Sequence, residues 1–129
     1  MISRSGFTLR TTKKCAQILG MQNNQIPDSA LSASTSYNVS SMGPRNGRLY
    51  FQAKSGKYGA WATSRNDKFQ WFGVDFGSYA KVTALATQGR QDGAWWVTSY
   101  SLSFSHDDVF FEDYKENNVK KVCDVIVPI

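Results

Sequence analysis

The sequence predicts an all-β domain, a β-sandwich or jelly-roll barrel of about seven short strands. Aromatic residues make up 14% of the chain and include four Trp, a content that suits an all-β core. Apolar and polar side chains alternate with period two through much of residues 69–105, as they do in strands with one buried face. Short polar loops separate the alternating segments, which predicts successive antiparallel strands.

The alternation is clearest in three segments of this central stretch. Residues 72–76 predict a strand with Phe72, Val74 and Phe76 facing inward, and residues 81–88 predict a second strand with Val82, Ala84 and Ala86 on one side. The third segment, 96–105, is the most regular, and its predicted inward residues are Trp96, Thr98, Tyr100, Leu102 and Phe104. We expect core packing for Trp61, Trp71 and Trp96.

The remaining elements are predicted from composition and breakers. Residues 1–14 show no periodicity and predict a disordered basic leader, followed by one domain over 15–129. Residues 35–47 are rich in Ser, Asn, Gly and Pro and predict a loop. Further strands are predicted at 31–34, 48–53, 109–114 and 119–129, a turn or a short helix start at 26–29, and turns at 106–108 and 117–118.

The net charge of +5 is distributed unevenly along the chain. The first twenty residues carry four basic side chains and no acidic ones, yet they contain no apolar h-region, so no secretory signal is visible. A second cluster of basic side chains lies between residues 45 and 68, where the sequence has a single acidic residue, Asp67. The cluster consists of Arg45, Arg48, Lys54, Lys57, Arg65 and Lys68. It indicates either ordinary solvated loops or a basic rim that favours acidic lipid headgroups or sulfated glycans.

Catalytic and cofactor motifs are missing from the sequence. The chain has one His, His106, in a predicted turn beside two Asp, and nothing similar to a nucleophile elbow. It contains neither a CxxC pair nor a GxxxxGK[ST] loop. We therefore expect no enzyme activity, no metal and no cofactor. Nucleic acid ranks third as a partner, and we expect none, because the aromatics that would stack on bases fall on strand positions.

Several motifs in order resemble one known family. These are QWFGVDFGS, KVTALATQGRQD and WVTSYSLSFS, preceded by LGMQNNQIPDSALSAS, GRLYF and GAW, a match that runs from Cys15 to about Asn118. Together they resemble the discoidin domain, the C domain of coagulation factors V and VIII. The resemblance implies a galactose-binding-domain-like jelly roll and an extracellular, non-enzymatic binding module.

The resemblance also implies that the fold is incomplete at its C-terminal end. Discoidin domains continue with further strands where this sequence has KKVCDVIVPI. An open sheet edge of this kind invites self-association. Two cysteines permit at most one disulfide. The resemblance implies that Cys15 begins a bridge whose partner lies on a strand this sequence does not contain, so pairing with Cys123 is left open.

The resemblance places the binding residues on three loops at one end of the barrel. Residues 36–42, the first loop, correspond to the first protruding loop of discoidin domains. Residues 89–95, called the third loop below, correspond to a second protruding loop, and the basic loop at 54–58 lies beside them. The implied binding residues are Tyr37, Asn38, Val39, Met42, Lys54, Lys57, Tyr58, Arg90, Asp92 and Trp95. Trp95 would stack on a sugar or enter lipid, whereas Arg90 and Asp92 would either bond a ligand or brace their own loop.

The implied function is adhesion or recognition of an anionic phospholipid or a cell-surface glycan. The alternative is a protein ligand, such as collagen, another matrix protein or a growth factor, bound through the same loops. Independently of the resemblance, Asn38-Val39-Ser40 is an N-glycosylation sequon. A glycan at Asn38 would obstruct the first loop.

Overall fold

The computed structural model of the protein describes residues 7–8 and 18–124, and within them the fold is built from short strands. The all-β prediction is confirmed, although the ten described strands are shorter and more numerous than expected. They are β1 Phe7–Thr8, β2 Leu31–Ala33, β3 Phe72–Val74, β4 Ala86–Thr87, β5 Ser99–Ser101, β6 Ser103–Phe104, β7 Glu112–Asp113, β8 Lys115–Glu116, β9 Val119–Lys120 and β10 Val122–Asp124. One α-helix, α1, spans Val39–Met42, and 3-10 turns span Asp28–Ala30 and Pro44–Gly47.

The described strands pair in antiparallel twos. β2 pairs with β3, β1 with β4, β5 with β10, β6 with β7, and β8 with β9. Only Leu102 separates β5 from β6, and its carbonyl accepts a hydrogen bond from the Tyr114 N–H at 2.8 Å. One extended segment, residues 99–104, therefore pairs with β10 through β5 and with β7 through β6. In the sequence, the β8–β9 hairpin lies between β7 and β10. The predicted turn at Asn117–Asn118 is confirmed, with φ values of 52° and 62° that Asn tolerates.

The core is formed by residues between Met21 and Phe72. Its buried cluster consists of Met21, Ile26, Leu31, Trp61 and Phe72, with Val74, Phe76 and Leu85 packed against it half-buried. The Trp61 and Phe72 rings pack tilted, 5.3 Å apart between centroids. The predicted inward positions of Trp61, Phe72, Val74 and Phe76 are therefore confirmed.

The predicted strand at 48–53 is wrong, because its first residue is drawn into the core. Arg48 is buried and donates to the carbonyls of Met21 at 3.1 Å and Ile26 at 2.7 Å, and to Asp28 at 2.6 Å. Buried carbonyls of an irregular segment need donors, and the guanidinium supplies them. Tyr50 then takes a positive φ of 59°, which interrupts the extended chain. Arg48 is therefore a structural brace and does not belong to a basic rim.

The predicted burial of the third central strand is wrong at Trp96, Thr98 and Phe104, whereas Tyr100 and Leu102 are half-buried. Trp96 is 44% exposed and Phe104 48% exposed, although both occupy the face that sequence alternation assigned to the core. Phe104 lies in the extended segment 99–104, which pairs edge to edge with β10 and β7, and Trp96 precedes that segment outside any described strand, while the buried cluster is drawn entirely from residues 21–72. Edge pairing satisfies backbone groups without covering a face. Val82 is also exposed, and Trp71 is half-buried.

The ends of the chain are described only in part. Residues 7–8 form β1 against β4, so these two residues of the predicted disordered leader carry a strand instead. Cys15 lies outside the described residues, as do 125–129. Cys123 has a free thiol opposite Tyr100 in the β5–β10 pair. Burial, with a smaller effect of Cys123, raises the pKa of the Tyr100 hydroxyl.

Candidate functional site

The first loop is ordered by a single helical turn. The Asn38 Oδ1 atom accepts hydrogen bonds from the N–H groups of Ser40 and Ser41, each at 3.0 Å, and so caps α1. This turn leaves Tyr37 68% and Val39 73% exposed. Met42, at the other end of the turn, is only 2% exposed. The prediction that Met42 offers apolar binding surface is therefore wrong, because α1 points this side chain into the protein.

The basic loop is a tight turn that contacts the first loop. Lys54 and Lys57 exchange backbone hydrogen bonds of 3.0 and 2.8 Å around Gly56, whose φ is +73°. The Lys57 Nζ atom donates to the Ser40 carbonyl at 2.7 Å, and the Tyr58 N–H donates to the Ser41 carbonyl at 2.9 Å. These bonds hold the ammonium of Lys57 beside α1.

Two residues outside the set of predicted binding residues donate hydrogen bonds to the backbone of the first loop. The Arg45 Nη2 atom donates to the same Ser40 carbonyl at 3.0 Å. The buried Asn46 side chain donates to the carbonyls of Ser41 at 2.7 Å and Tyr58 at 2.8 Å. A lone Asn in a polar loop carries no sequence signal of such a role, whereas the basic cluster did include Arg45.

The third loop, residues 89–95, is closed by an ion pair. The Arg90 guanidinium donates to both carboxylate oxygens of Asp92, at 2.8 and 3.2 Å. The Arg90 Cζ atom also lies 4.6 Å from the Tyr58 ring centroid and 4.9 Å from that of Trp95, distances at which cation–π attraction operates. Arg90 therefore links the basic loop to the third loop through Tyr58. Its ion pair with Asp92 lies within the third loop, as the alternative that these two residues brace their own loop predicts.

Asp92 extends this link to the backbone of the neighbouring segment. Its Oδ1 atom accepts the Gly59 N–H at 2.9 Å. The Arg90 guanidinium, more than any other group, lowers the pKa of Asp92 to about 2, while partial burial opposes the shift. The same bond raises the pKa of Arg90. A Cβ at Gly59 would lie 2.7 Å from that of Gln91, so the close approach of the two segments requires glycine here.

The three loops border two open clefts. The first, of about 480 Å³, lies between the first and third loops, and its lining includes Tyr37, Arg65, Asn66, Arg90, Trp95 and Trp96. The second, of about 510 Å³, is lined in part by Ser41, Lys54, Lys57, Tyr58 and Asp92. Sequence reasoning missed Arg65, Asn66 and Trp96 as cleft residues. The polar run after Trp61 indicated that Arg65 and Asn66 are exposed, whereas strand alternation assigned Trp96 to the core.

Other chemistry is sparse in the part of the chain that the structure describes. His106 lies exposed in the predicted turn, its ring centroid 5.3 Å from that of Tyr79. Within residues 7–8 and 18–124, no group of three or more His, Cys, Asp or Glu is placed to hold a metal ion. No helix in these ranges has the length and apolar character needed to cross a bilayer.

Comparison with known proteins gives a consistent result. The family model of the F5/8 type C domain matches residues 30–126, a range that contains all three loops and both clefts. Lactadherin from Rattus norvegicus is 40% identical over 115 residues, which cover 84% of this chain and 26% of that protein. Lactadherin from Mus musculus is also 40% identical over 115 residues, covering 84% of the chain and 24% of that protein.

A human protein shows the same pattern. The EGF-like repeat and discoidin I-like domain-containing protein 3 from Homo sapiens is 34% identical over 114 residues, covering 83% of this chain and 23% of that protein. The chain thus spans about a quarter of the length of these curated relatives.

Proposed function

The chain belongs to the F5/8 type C (discoidin) domain family, a family of non-catalytic binding modules, and on that premise we propose that it binds anionic phospholipid surfaces through its three loops. The observation that carries the proposal is the meeting of exposed apolar tips with a basic turn. Tyr37 and Val39 are exposed on the first loop, Trp95 is exposed on the third, and the Lys57 ammonium is bonded to the Ser40 carbonyl of the first loop.

This combination suits the boundary between headgroups and acyl chains. Apolar tips gain free energy on leaving water, roughly 1.5–3 kcal/mol for a large side chain when burial is complete. Each Lys or Arg near an acidic leaflet adds about 1 kcal/mol. Tyr37, Val39 and Trp95 enter only partly, so the total is modest and supports reversible attachment at the interface. The ion pair of Arg90 with Asp92 would keep Trp95 in position during that attachment.

A cell-surface glycan is the second candidate, and the first cleft favours it. Trp95 and Trp96 are both exposed at this cleft, and the side chains of Arg65 and Asn66 line it. Aromatic faces beside a few polar groups are typical of small-molecule sites. Binding that resists added salt would support this candidate over lipid.

Vesicle sedimentation tests the lipid proposal. We expect binding to vesicles that contain phosphatidylserine, little binding to pure phosphatidylcholine, and a steep loss with salt, because exposed charges are screened beyond about 8 Å at physiological ionic strength. The triple variant Tyr37→Ala, Lys57→Ala and Trp95→Ala removes two aromatics and one Lys from the loops. Retention of full binding by this variant would refute the loop assignment.

A matched control variant removes two aromatics and one Lys elsewhere. Tyr79, Phe110 and Lys81 are all exposed and lie outside both the three loops and the basic cluster. Their combined replacement by Ala should leave vesicle binding unchanged. An array of glycans and matrix proteins, probed with the same two variants, identifies a sugar or protein ligand if vesicles fail.

We also propose an extracellular or cell-surface location and self-association through sheet edges. The paired strands of the described fold leave edges to which a second copy could add, and Phe104 and Val122 are exposed along the β5–β6 and β10 segments. Sedimentation velocity over a concentration series tests this. A single monomer boundary at every concentration would contradict self-association.

A further inference from the structure

The exposed Asn38 side chain has an amide nitrogen that is available for modification, and the lipid proposal gives this nitrogen no role. Its Oδ1 atom accepts the cap hydrogen bonds of α1 and a third bond from the Ser40 hydroxyl at 2.7 Å. Within the described residues, its Nδ2 group donates to no protein atom, and the residue is exposed. The nitrogen of a sequon Asn is the atom that carries an N-linked glycan.

We propose that Asn38 is N-glycosylated and that the glycan closes the first loop to membrane surfaces. In the transfer, Nδ2 forms a bond to the anomeric carbon of a sugar carried on a lipid diphosphate. The bond from that carbon to the diphosphate oxygen breaks, the diphosphate leaves with the electron pair, and Nδ2 loses one proton. Oδ1 remains an acceptor afterwards, so the cap of α1 is compatible with the modification.

The closing effect follows from position along the chain. Tyr37 and Val39, the two exposed apolar side chains of the first loop, flank Asn38 directly, and neighbouring Cα atoms lie only about 3.8 Å apart. A bilayer that receives both side chains would have to meet the group at position 38. A branched, hydrated glycan there would hold the loop away from the headgroups. This effect on binding rests on the proposed function, whereas the modification itself does not.

The chemistry of the site supplies matched variants. Ser40→Ala removes the sequon and leaves the Asn38 cap, whereas Ser40→Thr keeps both. Asn38→Asp removes the acceptor nitrogen and keeps an equally good cap. Peptide-N-glycosidase cleavage of the native glycan also leaves aspartate at position 38, so the deglycosylated chain retains its loop structure.

The test expresses the full chain behind a secretory leader in a eukaryotic cell and measures intact mass and binding to phosphatidylserine vesicles. We expect a glycan mass that the glycosidase removes, that Ser40→Thr keeps, and that Ser40→Ala and Asn38→Asp lack. Vesicle affinity should rise at least roughly tenfold on deglycosylation, to that of Asn38→Asp.

An unmodified native chain would overturn the site. Equal vesicle binding before and after deglycosylation would overturn the closing effect while the lipid proposal stands. A modified chain that binds no vesicles in either form would overturn the closing effect together with the lipid proposal and would leave the modification established.

Discussion

Replacement of Arg90 by Ala should loosen the third loop without unfolding the domain. Arg90 makes three contacts that Ala cannot make: the ion pair with Asp92, and cation–π contacts with the rings of Tyr58 and Trp95. All of these partners lie outside the buried cluster around Trp61. The loss should therefore appear as local opening of the loop rather than as a lower global stability.

The size of the effect can be worked out from these contacts. A cation–π contact at an exposed site contributes about 0.5–1 kcal/mol, and a surface ion pair about 0.2–1 kcal/mol. Two rings and one ion pair together stabilise the closed loop by about 1–3 kcal/mol. Because about 1.4 kcal/mol corresponds to a factor of ten, the opening equilibrium should increase roughly tenfold to a hundredfold.

Native-state hydrogen exchange reports this opening at named amides. The Gly59 N–H donates to Asp92, and the backbone N–H of residue 90 donates to the Trp95 carbonyl at 2.8 Å. Protection of both should fall by the stated factor in Arg90→Ala, and Arg90→Lys should restore only part of it, since Lys lacks the planar fork. Protection of the Ser34 N–H, which bonds the Trp71 carbonyl at 3.0 Å, should not change. Lys68→Ala removes the same charge elsewhere and serves as the control. Unchanged protection at Gly59 in Arg90→Ala would refute the argument.

Three further predictions concern the Arg48 brace and the third loop. Arg48→Ala should lower the free energy of unfolding by about 2–6 kcal/mol, because it removes the donor from two buried carbonyls, each at a cost of about 1–3 kcal/mol. Urea denaturation measures this, and a loss within about 0.5 kcal/mol, the range of most surface substitutions, would contradict it. Asp92→Asn should weaken the protection of the Gly59 N–H against hydrogen exchange at neutral pH, where the carboxylate with its lowered pKa is charged. The difference from the wild type should shrink below the ordinary value of 3.8 and vanish as pH falls through about 2, so a difference in Gly59 protection that is unchanged at pH 2 would count against the ion pair. Gly59→Ala should displace the third loop, because its Cβ would meet that of Gln91; a shift in Trp fluorescence checks this, and an unchanged spectrum with unchanged Gly89 and Trp95 amide resonances would show that the approach is not tight.

The sequence by itself determined the fold class, the family and the positions of the loops. Alternation around Phe72 and the chemistry of Trp61 predict burial correctly, because a large apolar side chain in a strand next to other apolar segments has few other places to go. Asn pairs and Gly-rich stretches predict turns correctly, because the backbone sterics that favour these residues in turns act within a few residues. The motifs that resemble discoidin domains are likewise local strings read in order, and the family match over residues 30–126 confirms them.

Only the tertiary structure decided which side of each loop faces outward and which loops meet. Met42 and Val39 are similar apolar residues of one short turn, yet α1 buries the first and exposes the second. Arg48 and Lys57 belong to one basic cluster, but Arg48 is buried against the carbonyls of Met21 and Ile26, whereas Lys57 donates to a carbonyl of the exposed first loop. Trp96 follows a regular alternation and still remains exposed. Periodicity records how one strand divides its side chains between two faces, whereas burial depends on which distant segment covers a face.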